Sequence, residues 1–465
     1  MSLVLLSVSL LAGSVPVSAG PALMPGVTEE MTDPAFWTDG DREASKILAD
    51  GAAIDAMNES IRKTEECRMN DLASKDGSFD GLALKRNLLQ ACMKEISDFL
   101  SGSYYKEDGT AVSYSDLKDI PENIDGGAAE ASQAVQYGIC VKHSDVRVYP
   151  TELIVSDDKN DPDFDLFALS SLNLGEPVLV KAVSADGNFY YCVSSCISGW
   201  VSSKNIAVCK DKEEWLSAWD IPEDELLVVT QGKIFLEESN ANKKSSGLLL
   251  TLGTLLREVK PEEFDASITN RAAYNNYVFW LPIRKKDGSY SRKQALISQH
   301  YSVSEGYLPL RSETIVSLAL SMLGDAYGWG GMLEAPDCSL FVRAVYRCFG
   351  LELPRNTTWQ AEVPSLKYDA SDMDTAAKQE LLDTLPAGTV LIFKGHEMLY
   401  LGQSGGEHFV ISSVSSVMNP ENTSEKLRLR GVVINALETT MRANGHSWLE
   451  DISTLLIPYE APAES

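Results

Sequence analysis

The chain is short of positive charge. Against 67 aspartates and glutamates it carries 40 lysines and arginines, a formal net charge of −27 over 465 residues. Nucleic acid and anionic membrane surfaces are disfavoured as partners by that imbalance, because their phosphates need cationic neutralisation. Binding to an anionic polymer would need specific local contacts. Long apolar runs are also missing beyond the first residues. No later stretch reaches the ~20 residues of a membrane-spanning helix, so no stable membrane insertion is expected. Histidine is scarce. His143, His300, His396, His408 and His446 are the only five, which leaves few side chains able to move a proton near neutral pH. Metal-ligand spacings, phosphate-cradling glycine loops and basic-aromatic stripes are absent, so no cofactor is expected.

What is present is an ordinary globular composition, 44% apolar and 23% charged, in a chain too long for one hydrophobic core. Residues 1–19 read as a secretory signal: the apolar run from Leu3 to Ala12 is too short to span a bilayer, and Val17-Ser18-Ala19 supplies small residues for cleavage. Export to the periplasm or cell envelope follows as the expectation. Ser14 stands where a lipid-bearing cysteine would have to be. Eight cysteines in an exported chain permit disulfides, with Cys67–Cys92, Cys140–Cys209 and Cys192–Cys196 as pairs and Cys338 and Cys348 left as thiols.

Residues 28–135 read as mainly helical. Ile47, Leu48, Ile54, Met57 and Ile61 recur at helical spacing, as do Leu84, Leu88, Leu89, Cys92 and Ile96. The polar stretch from Asp116 to Glu130 reads as a linker. Across 139–210 the pattern turns to short apolar runs cut by turns, with Asp186-Gly187 as a hairpin signal; this predicts a small all-β barrel. A second such set, over 211–308 and with its own Asp287-Gly288 turn, is read as a second barrel. From 311 to 460 helices come first and strands follow, which predicts an α+β domain. The fold class is thus multidomain, with an α+β unit behind two small barrels and a helical segment.

The chemistry concentrates in the last unit. Asp337-Cys338-Ser339 follows a glycine-aromatic turn, Tyr327 to Gly331, and opens an apolar run of helical spacing. A thiol in the first turn of a helix faces unpaired N–H groups, which favour the thiolate. His396 lies in a strand-turn-strand segment, where it can face the helix start and take the thiol proton. Cys348, inside the apolar pattern of the same helix, reads as core. His143, His300 and His446 read as surface or loop residues, and the charge-rich run from Glu421 to Arg430 as a solvated turn.

Together Tyr327-Gly328-Trp329-Gly330-Gly331, Asp337-Cys338-Ser339, Leu353-Pro354-Arg355-Asn356 and Gly395-His396 with Tyr400-Leu401-Gly402 resemble the NlpC-type family of bacterial cell-wall cysteine peptidases, which have a papain-like core. The upstream barrels resemble bacterial Src-homology-3-like domains, carried by Arg147, Pro150-Thr151, Gly175-Glu176-Pro177-Val178 and Gly199-Trp200-Val201. Asp33-Pro34-Ala35-Phe36-Trp37 and the helix through Asn58 resemble the clip segment of the same branch. The resemblance implies hydrolysis of the γ-D-glutamyl–diamino acid bond of peptidoglycan stem peptides or muropeptides, with Cys338 as nucleophile and His396 as base. It implies substrate-binding roles for Tyr327, Asp337, Ser339 and Arg355, with Asp337 meeting a free L-alanine amine, and Tyr149 and Tyr190 as barrel residues lining the groove. The third catalytic position falls on His408 by residue count or on Ser412 by strand alignment. Both share one strand face with Val410. A catalytically impaired wall-binding protein is the alternative, and an acyltransferase or amidase on the same core a third reading.

Overall fold

The computed structural model describes residues 22–39, 43–74 and 77–462. The signal segment expected at 1–19 lies outside the described residues. Among those described, no helix is long and apolar enough to cross a membrane.

The N-terminal segment holds two long helices, α1 (Gly51–Lys63) and α2 (Gly81–Ser101), each capped by an aspartate, Asp50 and Asp80, that accepts an N–H of the first turn. Ile54, Met57 and Ile61 of α1 pack into the core of the C-terminal domain, while Ile47 is 59% exposed. Asn58 ties the two units at the backbone, donating to Gly350 O (2.8 Å) and accepting from Glu352 N (2.8 Å). Trp37 packs against the same core, on Phe409, ring centroids 5.6 Å apart. The stretch expected as a linker instead forms the short helices Tyr114–Leu117 and Asp119–Asp125. Leu117, Ile120 and Ile124 bury against α2 and the adjoining sheet, and their helical spacing outweighs the polar composition around them.

Residues 136–208 form a seven-stranded antiparallel sheet in the order Ile206–Val208, Gln136–Cys140, Pro177–Val183, Phe189–Val193, Ser198–Ser202, Ser144–Arg147, Ala168–Leu172. Gly187 (φ 71°) makes the expected turn between Pro177–Val183 and Phe189–Val193. A long loop spans 148–167 and is pinned by a buried ion pair, Arg147–Asp165 at 2.8 Å. The next unit is built of small sheets about a shared core: a three-stranded one ordered Leu255–Arg257, Leu226–Val229, Val303–Glu305, and two hairpins, Lys233–Phe235 with Leu249–Thr251 and Asn276–Arg284 with Tyr290–Ser298.

In the C-terminal unit, helices α3 (Ser312–Leu320) and α4 (Cys338–Arg347) pack beside a six-stranded antiparallel sheet. Its strands are β1 (Leu366–Asp369), β2 (Val390–Phe393), β3 (His396–Ser404), β4 (Glu407–Asn419), β5 (Asn422–Ala436) and β6 (Thr454–Ile457), in the order β1-β6-β2-β3-β4-β5. The region expected as a solvated turn at 421–430 is the start of β5. Its arginines turn back onto the 148–167 loop: Arg428 pairs with Asp158 and donates to Asn160 O (3.0 Å), while Arg430 pairs with Asp161 and donates to Asp163 O (2.7 Å).

All eight cysteines are free thiols. The pairs expected from the sequence do not form: Cys67 packs in the C-terminal core and Cys92 among the N-terminal helices, while Cys140 and Cys209 belong to different clusters. Cys192 and Cys196 flank their turn unjoined.

Candidate active site

Helix α4 begins at Cys338. Asp337 is its N-cap, with Oδ1 accepting from Leu340 N at 2.9 Å. Capping fixes the first turn, and the N–H groups of Cys338 and Ser339 have no acceptor within the helix. The preceding turn is pressed against the first sheet. Gly330 (φ 59°) and Gly331 (φ 84°) adopt left-handed conformations, and a Cβ on Gly331 would lie 2.6 Å from Ser171 Oγ, so neither site accepts a side chain easily. Trp329 stacks on Phe164 of the 148–167 loop, centroids 4.6 Å apart. The first β-unit therefore supplies one wall of the cleft in which Cys338 lies.

That cleft has a volume of about 740 Å³ and is lined by Tyr327, Asp337, Cys338, Ser339, Arg355 and His396, among others. The sequence-predicted residues are thus brought together, with two exceptions. His408 is one. Its Nδ1 meets Glu438 Oε1 (2.7 Å) and its Nε2 meets Asp383 Oδ1 (3.2 Å), near the turn of the β3–β4 hairpin. Ser412 instead takes the place beside His396, with Oγ 3.0 Å from Nε2. The Gly-rich turn lengthens the hairpin, and a register shift between Tyr400 and Gly402 sets which β4 residue falls opposite the start of β3. The aromatic pair from the first β-unit is the other exception. Tyr149 is buried and donates to Glu95 of α2, and Tyr190 packs in the core of its own sheet; Phe164, Ala168, Leu169 and Ile197 line the cleft instead.

Asp337 is fully occupied. Oδ1 accepts from Leu340 N, from Ser339 Oγ (3.1 Å) and from Arg355 Nη1 (3.2 Å); Oδ2 accepts from Gly330 N (3.1 Å) and Arg355 Nη2 (2.8 Å). Two carboxylate oxygens offer about four lone-pair directions, so this set leaves none for a further cation. Arg355 also donates to Ser170 Oγ of the first sheet (2.7 Å) and to Ser339 Oγ (3.0 Å). Asp337, Ser339 and Arg355 thereby form one buried network that joins the two units and holds the start of α4, and the expected Asp337 contact to a substrate amine has no capacity left.

The protonation states differ from those the helix position alone suggests. Cys338 keeps some surface open to the cleft, yet burial, then the charges of Asp337 and Glu397, push its thiol up to about 12. The Glu397 backbone N–H and the Thr357 hydroxyl, 3.8 Å from Sγ, act the other way. Burial and the nearby Arg442 guanidinium push His396 down to about 3, with Asp337 opposing. The resting pair is a thiol and a neutral imidazole. A neutral imidazole keeps one ring nitrogen as an acceptor, and Nε2 is engaged by the Ser412 hydroxyl. His396 is also held between Phe393 and Trp448, with centroids at 5.4 and 5.0 Å.

The cleft's charge runs against that of the whole chain. Lys394, Lys426, Arg442 and Arg355 line it, and among the described lining residues Asp337 is the one carboxylate. Sequence reasoning missed Lys426, whose strand read as a turn, and Trp448, for which the sequence gives no signal. It also passed over Glu397, an acid inside the apolar run from Val390 to Leu401, which a search for interruptions in that run would have flagged.

Residues 155–202 match the SH3 domain (SH3b1 type) and residues 324–430 match the NlpC/P60 family. The second match spans Asp337, Cys338, His396 and Ser412. A solved structure described as a novel NlpC/P60 endopeptidase from Photobacterium damselae subsp. piscicida is similar over 92% of this chain and 97% of that chain, with a TM-score of 0.71 and 18% identity. An NlpC/P60 family protein from Bacillus cereus ATCC 10987 is similar over 70% of this chain and 99% of that one, with a TM-score of 0.46 and 16% identity. No curated protein matches the chain significantly. At such identity the Photobacterium structure speaks for the fold alone, and the two family matches speak for the domains: the chain carries an NlpC/P60 domain, of a family of cell-wall cysteine peptidases, behind a bacterial SH3-type domain.

Proposed function

We propose that the protein is an exported peptidoglycan hydrolase, a cysteine endopeptidase that cleaves the γ-D-glutamyl–diamino acid bond of stem peptides. The observation that carries this is the meeting of Cys338 and His396 in one cleft, with Ser412 on the far nitrogen of the imidazole. Cys338 Sγ attacks the γ-carbonyl as His396 takes the thiol proton. The oxyanion develops beside the free N–H groups at the start of α4. The imidazolium then protonates the departing amine, and water, deprotonated by the same ring, releases the acyl group. Ser412 orients the ring but offers less support to an imidazolium than a charged partner, which points to modest turnover.

The cationic rim supports an acidic substrate. A stem peptide presents the α-carboxylate of its D-glutamate and the carboxylates that follow, and Lys394 and Lys426 stand at the cleft to meet them. A preference for a free N-terminal L-alanine would need an anionic group for the amine. Asp337 is saturated, so the reading favours substrates whose recognition does not depend on that amine. Purified protein should release the diamino acid from L-Ala-γ-D-Glu-diamino acid and from its N-acetylated form at comparable rates, and Cys338→Ala should release none. Hydrolysis that persists in Cys338→Ala refutes the mechanism, and a strong requirement for the free amine refutes the view of Asp337. The second reading, a wall-binding protein of impaired activity, is favoured by the serine at the third position; slow labelling of Cys338 by iodoacetamide, unaffected by His396→Ala, would support it.

A further inference from the structure

A side chain outside α4 faces the Cys338 sulfur and is not used by the mechanism above. The Thr357 hydroxyl lines the cleft 3.8 Å from Sγ, and the sulfur is the one group among the described residues that it meets at hydrogen-bonding geometry. Sulfur is a large atom, so contacts to it run longer than contacts to oxygen. The buried carboxyl of Glu397 takes no hydrogen bond from this hydroxyl, since neither of its oxygens has a partner.

The placement is built by the surrounding turn. Thr357 opens the short helix Thr357–Gln360, and the side chain of its N-cap, Asn356, accepts from Trp359 N at 3.0 Å. At the other end Gln360 is wholly buried, and its Nε2 donates to Ser339 O and to Pro354 O, both at 3.1 Å. Just before the helix, Arg355 is fixed to Asp337. The segment carrying Thr357 is therefore clamped on both sides to the first turn of α4, on which Cys338 lies. A β-branched side chain on a fixed backbone has few rotamers, so the hydroxyl is aimed before the reaction begins.

We propose that Thr357 is a further catalytic residue, whose hydroxyl donates to Cys338 Sγ and stabilises the attacking thiolate. The inference rests on Cys338 being the nucleophile. In the resting thiol either group can be the donor. Once the sulfur has given its proton to His396, only the hydroxyl can donate, and the contact becomes charge-assisted. It is stronger in the anion than in the thiol, so it favours the form that attacks. The site has use for such help. Burial first, then Asp337 and Glu397, push the thiol up to about 12, and the Thr357 hydroxyl acts against them together with the Glu397 backbone N–H.

The test needs no substrate, so its failure is distinct from failure of the stem-peptide reading. Alkylation of Cys338 by iodoacetamide is followed at pH 7 in the full chain by peptide mapping, with thermal midpoints recorded in parallel. Thr357→Val keeps the shape and loses the donor. It is expected to label about fivefold more slowly at an unchanged midpoint, the equivalent of about 0.7 unit in the thiol's pKa. Thr357→Ser keeps the hydroxyl and is expected to label within about twofold of wild type. Wild-type labelling by Thr357→Val, labelling of Thr357→Ser as slow as that of Thr357→Val, or slowing that comes only with a fallen midpoint would each overturn the proposal.

Discussion

The β3–β4 hairpin holds a histidine at each end, and the two are kept in opposite states. At the open end His396 touches one hydroxyl, is enclosed by Phe393 and Trp448, and is driven toward its neutral form. At the turn His408 is equally inaccessible, but it sits between Glu438 and Asp383. Burial alone would lower its pKa, and the hydrogen bonds and charges of those two carboxylates carry it above the usual value. Burial by itself does not make a base; what decides is whether the burial comes with anions. A ring paired with a hydroxyl can accept a proton and return it, while a ring clasped by two carboxylates is biased toward holding one.

The largest expected effect is at the open end. Cys338→Ala and His396→Ala should each lower kcat/KM on the tripeptide by roughly a thousandfold or more, and the double variant should lose no more than the worse single one, since the pair acts as a unit. Ser412→Ala should cost about tenfold, mainly in kcat, because the imidazole loses its orienting partner and keeps its place between the two aromatic rings. Lys426→Glu should raise KM severalfold with less change in kcat, an effect that fades at high salt as an exposed contact would. The smallest effect on activity is expected at the turn. His408→Ala should leave kcat/KM within about threefold and reduce stability instead. With a folded pKa above the unfolded value of 6.5, the contribution of His408 is fully present below pH 6.5 and is lost as pH rises through the folded pKa. Melting curves of wild type and His408→Ala should therefore differ most in mild acid and converge in alkali. A large fall in kcat/KM for His408→Ala, with Ser412→Ala silent, would reverse the comparison.

The local part of this arrangement was legible in the sequence. Asp337 before an apolar helical run marks a cap, the two Asp-Gly turns mark hairpins, and a lone histidine at a strand corner marks a possible base. What was not legible depended on distant partners. Asp337 read as free for an amine because its partners, Arg355 and through it Ser170, lie far along the chain. Arg428 and Arg430 read as solvated because their acidic partners belong to another unit. Tyr149 read as a groove residue because α2, which covers it, was placed in a separate segment. The choice between His408 and Ser412 turned on a register shift that residue counting cannot see.

The docking of Arg428 and Arg430 on the loop around Asp158–Asp163 also has a bearing on timing. One bank of the cleft is threaded well before the other, and neither is a cleft alone. A growing chain therefore carries the loop, the N-terminal helices and the first sheet before β5 arrives to be received. During that interval there is no groove to hold a substrate.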